Sequence, residues 1–253
     1  MAKPIIEVRD LVKRYGDFTA VDGVSFTVKE GQVFGLLGPN GAGKTTTLEI
    51  IETLKTPTSG DVTVDGMDIH HHATQIKQKI GIQLQAAGFY PDLNLLELLD
   101  MFAIAYGVSI KPMEVLGRFN LEEKAKATYA SLSGGQKQRF SLATTLINDP
   151  RIIFLDEPTT GLDPQARINL WDVIRDINKK GVTIILTTHY MDEAEELCDE
   201  LAIMDGGKVV KHGSPDQLID ELVATGFKRP RDIRQATLED VFLHLTGRSL
   251  RES

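Results

Sequence analysis

The sequence predicts an α/β fold: a core sheet fronted by an N-terminal antiparallel β layer and interrupted by an inserted α-helical subdomain. Three observations lead there. The glycine-rich run Gly38-Pro39-Asn40-Gly41-Ala42-Gly43-Lys44-Thr45-Thr46 stands between the apolar stretch 33–37 and the helix-compatible stretch 47–52, giving strand, loop and helix in succession. Residues 94–147 carry helical signals without a Gly-rich linker or charge run that would mark a separate domain. Beyond them, the apolar runs 152–155 and 182–186 read as strands of a buried sheet.

Composition sets the outer bounds. The chain has 253 residues, 42% of them apolar, enough for a sizeable core in one domain with subdomains. Lys and Arg number 28 against 36 Asp and Glu, a net charge of −8, and the pI near 5.3 argues against a nucleic-acid partner. Cys198 is the only cysteine, which excludes internal disulfides and a multi-cysteine metal site and leaves packing as its expected role. Residues 1–4 lead straight into a strand with no signal-peptide pattern, so the chain is expected to stay inside the cell. The longest apolar window, 95–108, is cut by Glu97 and Asp100, so no membrane span is expected.

From the N-terminus, 5–8, 24–28 and 33–37 read as short strands of the first layer, with turns between them. Tyr15 lies at a strand edge, where packing is the ordinary role and stacking on a purine the alternative. In the glycine-rich run, Gly38, Gly41 and Gly43 are expected to take positive φ and to bring backbone N–H groups against phosphate oxygens. The helix starting near Gly43 adds unpaired N–H donors and the positive end of its dipole. Lys44 supplies a compact charge for the outer phosphates and the Thr45 hydroxyl a ligand for magnesium, so the implied ligand is a polyanion with a metal. Residues 57–60 break the helix and 61–66 continue the sheet. His70, His71 and His72 are adjacent and cannot converge on one metal, so they are expected to be solvated. The stretch 80–85 resembles a buried strand ending on the amide of Gln85.

Asn94 and Glu97 have capping-box spacing and open an amphipathic helix that Gly107 closes. Ser131-Leu132-Ser133-Gly134-Gly135-Gln136 precedes helical spacing of apolar residues, putting Ser133, Gly134 and Gly135 at a helix start; Asn148-Asp149-Pro150 is expected to stop that helix. By the same helix-terminus logic this is a second anion site, which one triphosphate held at one loop does not need. Asp156 and Glu157 emerge at the end of a buried strand, where α/β proteins place ligands, and strand alternation would point them to opposite sides with different tasks. Asp163 reads as an N-cap with Pro164 at the first helical position, Gly181 ends that helix, and His189 stands at the exit of the strand 182–188.

In order and identity these motifs resemble the ATP-binding cassette family, specifically the nucleotide-binding subunit of a transporter. The combination of the phosphate loop, Leu132-Ser133-Gly134-Gly135-Gln136 and the Asp156-Glu157 strand end is specific, and the likeness spans about residues 5–212. The resemblance implies a P-loop NTPase (RecA-like) core that binds ATP and Mg2+ and hydrolyses ATP. The α/β core would be formed by 1–85 and 148–212, the helical subdomain by 86–147 and a helical tail by 213–253. It implies that residues 38–46 cradle the phosphates, that Tyr15 stacks on adenine, and that Thr45 and Gln85 ligate magnesium while Asp156 holds it through water. Glu157 would be the general base or water-orienting carboxylate and His189 would contact the γ-phosphate. Ser133, Gly134, Gly135 and Gln136 would face the γ-phosphate held by Lys44 of a second chain in a head-to-tail homodimer, or in a pair with a homologous subunit, with Asp163 linking the sites.

The resemblance further implies polytopic membrane permease partners, a cytoplasmic position against the inner face of the membrane, and docking through 86–107. The stretch 187–195 and the tail 237–247, an amphipathic helix with Leu238, Val241, Phe242 and Leu245 on one face, resemble the drug-resistance and exporter-type branch. Lys228, Arg229, Arg231 and Arg234 read as a solvated loop rather than a lipid contact. A competing class is a non-transport cassette ATPase acting as a nucleotide-gated clamp in translation or DNA repair. Such members carry two cassettes or a long coiled coil, whereas this chain has one cassette and no sustained heptads between residues 46 and 131.

Overall fold

The computed structural model describes residues 4–83, 88–227, 241, 244 and 245. Two strands open the chain, β1 (Pro4–Tyr15) and β2 (Phe18–Lys29), joined by the turn Gly16-Asp17 and paired antiparallel. Both are longer than the alternation marks out. Bulges shift the register along the pair and carry it past interruptions such as Asp10, which takes φ 47 and whose N–H is received by Ser25 Oγ.

There follow β3 (Val33–Leu37), α1 (Lys44–Ile51), β4 (Ser59–Val64), β5 (Met67–Asp68), α2 (Ala73–Lys77) and β6 (Ile80–Gln83). The helical insertion contains α3 (Leu95–Tyr106), α4 (Pro112–Arg118) and α5 (Gly134–Thr144). The chain then returns through β7 (Ile152–Asp156), α6 (Pro164–Asn178), β8 (Thr183–Thr188), α7 (Met191–Leu197), β9 (Glu200–Asp205), β10 (Lys208–Gly213) and α8 (Pro215–Ala224).

Two sheets result. One is antiparallel with order β2-β1-β4-β5; the other has order β10-β9-β3-β8-β7-β6 and is parallel except at the β9–β10 pair. The third predicted strand, 33–37, therefore belongs to the core sheet and not to the N-terminal layer. Its flanks explain why: β3 is buried along its whole length, as a central parallel strand requires.

The core sheet divides the apolar interior into two layers by strict alternation. Phe34 and Leu36 of β3, Ile152 and Phe154 of β7 and Ile185 of β8 face α1 and the antiparallel sheet, meeting Leu48, Ile51, Val8 and Val62. Leu37, Ile153, Leu155, Ile184 and Leu186 face the other way, onto Leu170 and Ile174 of α6 and the insertion residues Leu98, Leu116 and Phe140. The insertion is thus tied into the same core as α6.

α3 starts with the predicted capping box, Asn94 Oδ1 accepting from Glu97 N at 3.1 Å and Glu97 Oε2 from Asn94 N at 2.8 Å, and Gly107 closes it at φ 68. α5 ends at Thr144, short of Asn148-Asp149-Pro150. There the hydroxyls of Thr144 and Thr145 each donate 2.7 Å bonds to the carbonyls of Ser141 and Leu142, and the backbone tightens into three-residue turns before the proline is reached. Asp163 caps α6, accepting from Ala166 N at 2.9 Å, and Gly181 lies two residues past the cap Lys179 at φ 90.

β9, β10 and α8 carry no functional motif and do not stand out in the sequence, although Ser214-Pro215-Asp216-Gln217 is a capping box with Pro at the first helical position. His70, His71 and His72 are exposed, and among the described residues no group of three or more His, Cys, Asp or Glu gathers for a metal. Of the predicted tail helix, Leu238 and Phe242 lie outside the described residues; Val241 is buried in the layer that holds Leu218 and Leu222, and Leu245 is exposed. Lys228, Arg229, Arg231 and Arg234 also lie outside. No helix among the described residues is long and apolar enough to cross a membrane.

Candidate functional site

The loop 38–46 joins β3 to α1 at the carboxyl end of the core sheet. Gly41 and Gly43 take φ 80 and 97, as expected, but Gly38 does not have positive φ. Gly38 is needed for another reason: a Cβ there would stand 2.3 Å from the carbonyl oxygen of Met204, so only glycine lets the loop pass β9. Gly43 is the N-cap of α1 and offers no side-chain cap, leaving first-turn N–H groups open toward a ligand.

Lys44 is buried, with Nζ 2.8 Å from Gly38 O, 3.1 Å from Pro39 O and 3.8 Å from Glu157 Oε1. Burial lowers its pKa, against the pull of Glu157 and Asp156. Thr45 Oγ1 lies 3.3 and 3.2 Å from the two carboxylate oxygens of Asp156. Burial raises the Asp156 pKa, while hydrogen bonds from Thr187 and Thr45 favour the carboxylate.

Asp156 ends β7, and the next residue leaves strand geometry. Glu157 takes φ 49, so the predicted division of the two acids by strand alternation does not apply. The left-handed turn brings Glu157 back over the phosphate loop, beside Lys44 and 3.3 Å from His189 Nδ1. His189 beside it holds the Glu157 pKa below the ordinary carboxylate value, outweighing the effect of burial. Thr160 Oγ1 donates to Glu157 Oε2 at 3.2 Å.

The residue that sets both acids is Thr187, which in the sequence is one more β-branched residue of β8. The parallel register pairs it with Asp156; its hydroxyl donates to Asp156 Oδ1 and accepts from Glu157 N at 3.0 Å. Its full burial near the strand exit is visible only in the structure, and the sequence carries no signal that sets it apart from its β-branched neighbours. Gln83 is a second omission. It is buried, and its Nε2 donates to Gln138 Oε1 of α5 at 2.7 Å, linking the end of β6 to the helix that Ser133 starts. Gln85 lies outside the described residues.

Ser133 caps α5: its Oγ accepts from Gln136 N at 3.3 Å and Gln136 Oε1 accepts from Ser133 N at 3.0 Å. The Gln136 side chain is therefore engaged as a cap, while Gly134 and Gly135 occupy the first turn. This turn and Asp163 line one cavity of about 360 Å3 together with Gly161, Leu162 and Asn169. A different cavity, of about 220 Å3, is lined by residues 40–46, Glu157, Ala20 and Phe18. The two share no residue. Tyr15 stands at the end of β1, exposed, with Lys13 Nζ 5.1 Å and Lys55 Nζ 5.8 Å from its ring centroid.

A phosphate-binding loop at the end of a parallel sheet, with a buried Lys, a Thr–Asp pair and an ionised carboxylate over it, defines a nucleoside-triphosphate-hydrolysing cassette. A family model described as ABC transporter matches residues 21–160, and the chain belongs to that family as an ATP-hydrolysing, ATP-binding subunit. It is 40% identical to the Nod factor export ATP-binding protein I of Ralstonia nicotianae, over 98% of this chain and 96% of that one. It is 43% identical to the protein of the same name from Rhizobium meliloti, over 88% of this chain and 68% of that one. Among solved structures, the ATP binding subunit of an ABC transporter superposes with a TM-score of 0.82 at 30% identity, covering 96% of this chain and 99% of that one. A dimeric ATP-binding cassette in a post-hydrolysis state with ADP and Pi gives a TM-score of 0.75 at 28% identity, covering 83% and 98%.

Proposed function

We propose that this chain powers export through separate polytopic permease subunits, working against the inner face of the membrane as a head-to-tail pair of cassettes. The observation that carries the reading is the separation of the two anion-binding turns. The phosphate loop and the Ser133 turn open into different cavities with no common residue, which supports reading each as one half of a site. A second copy, or a homologous subunit, supplies the missing half to each. The relatives named for export favour that direction, and the helical subdomain 86–147 would meet the permease through 86–107.

ATP lies with its phosphates against the N–H groups of 40–46, and Lys44 swings from the loop carbonyls to the outer phosphates. Thr45 and Asp156 are hard oxygen donors that already converge, and a buried acid suits a cation, so they fit Mg2+; they would hold it, with Gln85 as the further ligand. When bound, the ion neutralises phosphate charge. Glu157, kept ionised beside His189, orients or deprotonates the water that attacks the γ-phosphorus in line, and His189 steadies the γ-phosphate. Ser133, Gly134 and Gly135 of the mate close over the same phosphate, Gln136 holds that turn as its cap, Asp163 connects the two sites, and Tyr15 stacks on adenine.

Replacing Glu157 by Gln keeps the shape and removes the base. The variant should bind ATP, lose turnover by about a hundredfold or more, and accumulate as an ATP-bound dimer in size-exclusion chromatography. Wild-type hydrolysis would overturn the role of Glu157, and a strictly monomeric ATP-bound variant would overturn the paired site.

A further inference from the structure

Phe18 is an aromatic ring that belongs to neither apolar core layer. It is 63% exposed at the first position of β2, and among the described residues no other ring or ammonium group stacks on it. It is the register partner of Tyr15 across the turn, so the two side chains leave the ribbon on the same face. The two are nonetheless unlike. Tyr15 already has Lys13 and Lys55 over its ring, whereas Phe18 and Ala20 form the wall of the cavity whose floor is the phosphate loop and Lys44.

We infer that Phe18 is a nucleoside-binding and specificity-determining residue: its ring packs on the ribose and base of ATP, between the phosphate loop and Tyr15. The inference rests on residues 38–46 being the triphosphate site. The phosphates fix one end of the nucleotide at α1, and the aromatic surface lining the cavity is that of Phe18. Stacking on an aromatic face tolerates any base, so Phe18 contributes affinity for a nucleoside over bare triphosphate rather than for one base over another.

The test compares ATP with inorganic tripolyphosphate on the full chain. Phe18→Ala should raise the KM for ATP about tenfold, in the range that aromatic stacking on a base provides, with maximal turnover moved less than twofold and inhibition by tripolyphosphate unaltered. Phe18→Trp should keep the ATP KM near wild type. Its new indole should change fluorescence on adding ATP but not on adding tripolyphosphate, against the constant background of the buried Trp171. An unaltered ATP KM in Phe18→Ala, or equal losses for ATP and tripolyphosphate, would overturn the assignment. Failure of the phosphate loop itself has a different signature: Lys44→Ala would then leave tripolyphosphate inhibition intact in an otherwise wild-type chain.

Discussion

At Thr187 a single hydroxyl bonds two consecutive acidic residues to which the proposed mechanism gives different work. It donates to Asp156 and accepts from the Glu157 N–H, so replacing it by the isosteric Val removes both bonds while keeping the volume. Thr187→Val should lower kcat at least tenfold with a small change in the Kd for ATP, since neither bond touches the phosphate loop; a KM effect with normal kcat would contradict this. Glu52 gives a prediction of a different kind. It is buried at the cap of α1, and burial, with Asp156 and Glu49 nearby, pushes its pKa from 4.5 to about 8. Between those values the folded chain keeps a proton that the unfolded chain releases, so this group's contribution to stability is full below pH 4.5, falls as pH rises toward 8 and then levels off. Glu52→Gln keeps the neutral shape without titrating. Denaturant unfolding at pH 5 and pH 8.5 should show the variant gaining on wild type at the higher pH. The gain should reach several kcal/mol, because each tenfold difference in proton affinity between folded and unfolded chains is worth about 1.4 kcal/mol. The acids at 156 and 157 are legible in the sequence as a pair at a strand end; their arrangement is not. It depends on a left-handed φ at Glu157 and on a Thr from a neighbouring strand, and neither leaves a local pattern.

Elements governed by local rules match their sequence signals closely, as the capping boxes at Asn94 and Ser133 and the Asp163-Pro164 start of α6 do. Those governed by neighbours do not. β1 and β2 outrun their alternation because bulged pairing extends them, and α5 ends early because two Thr hydroxyls bond back to the helix. That early end meets β6 at Gly81. A Cβ on Gly81 would lie 2.1 Å from the carbonyl oxygen of Thr145, a backbone atom that cannot yield without moving α5. Gly81→Ala should therefore cost about 2 kcal/mol in denaturant unfolding and lower ATPase activity further than the lost folded fraction explains. The excess follows because β6 also carries Gln83, whose amide holds Gln138, and both links align the helix that begins at Ser133. Full activity per folded molecule would show that α5 tolerates the shift.

For the whole molecule the decisive feature is that the phosphate loop and the Ser133 turn face different cavities; if the proposed head-to-tail pair is right, composite sites should be restorable from two dead chains. Lys44→Ala should disable the phosphate loop of one chain, and Ser133→Glu sets a negative charge where, in the proposed pair, the mate's γ-phosphate would sit. Each variant alone places a defect in both sites of its symmetric pair and should be inactive. In a mixed pair, one site collects both defects while the other joins an intact phosphate loop to an intact Ser133 turn. With equal amounts and random exchange, half the pairs are mixed and each has one good site of two, so ATPase activity should recover to about a quarter of wild type if the sites act independently, and to less if they fire only together. At strong dilution activity should fall more steeply than in proportion to total chain concentration, since pairs and not chains carry it. A mixture as inactive as its parts would mean either that the two sites fire only together or that each chain closes its own Ser133 turn over its own phosphate loop; activity strictly proportional to chain concentration on dilution would single out the second, an arrangement that the separate cavities at 40–46 and 133–136 argue against.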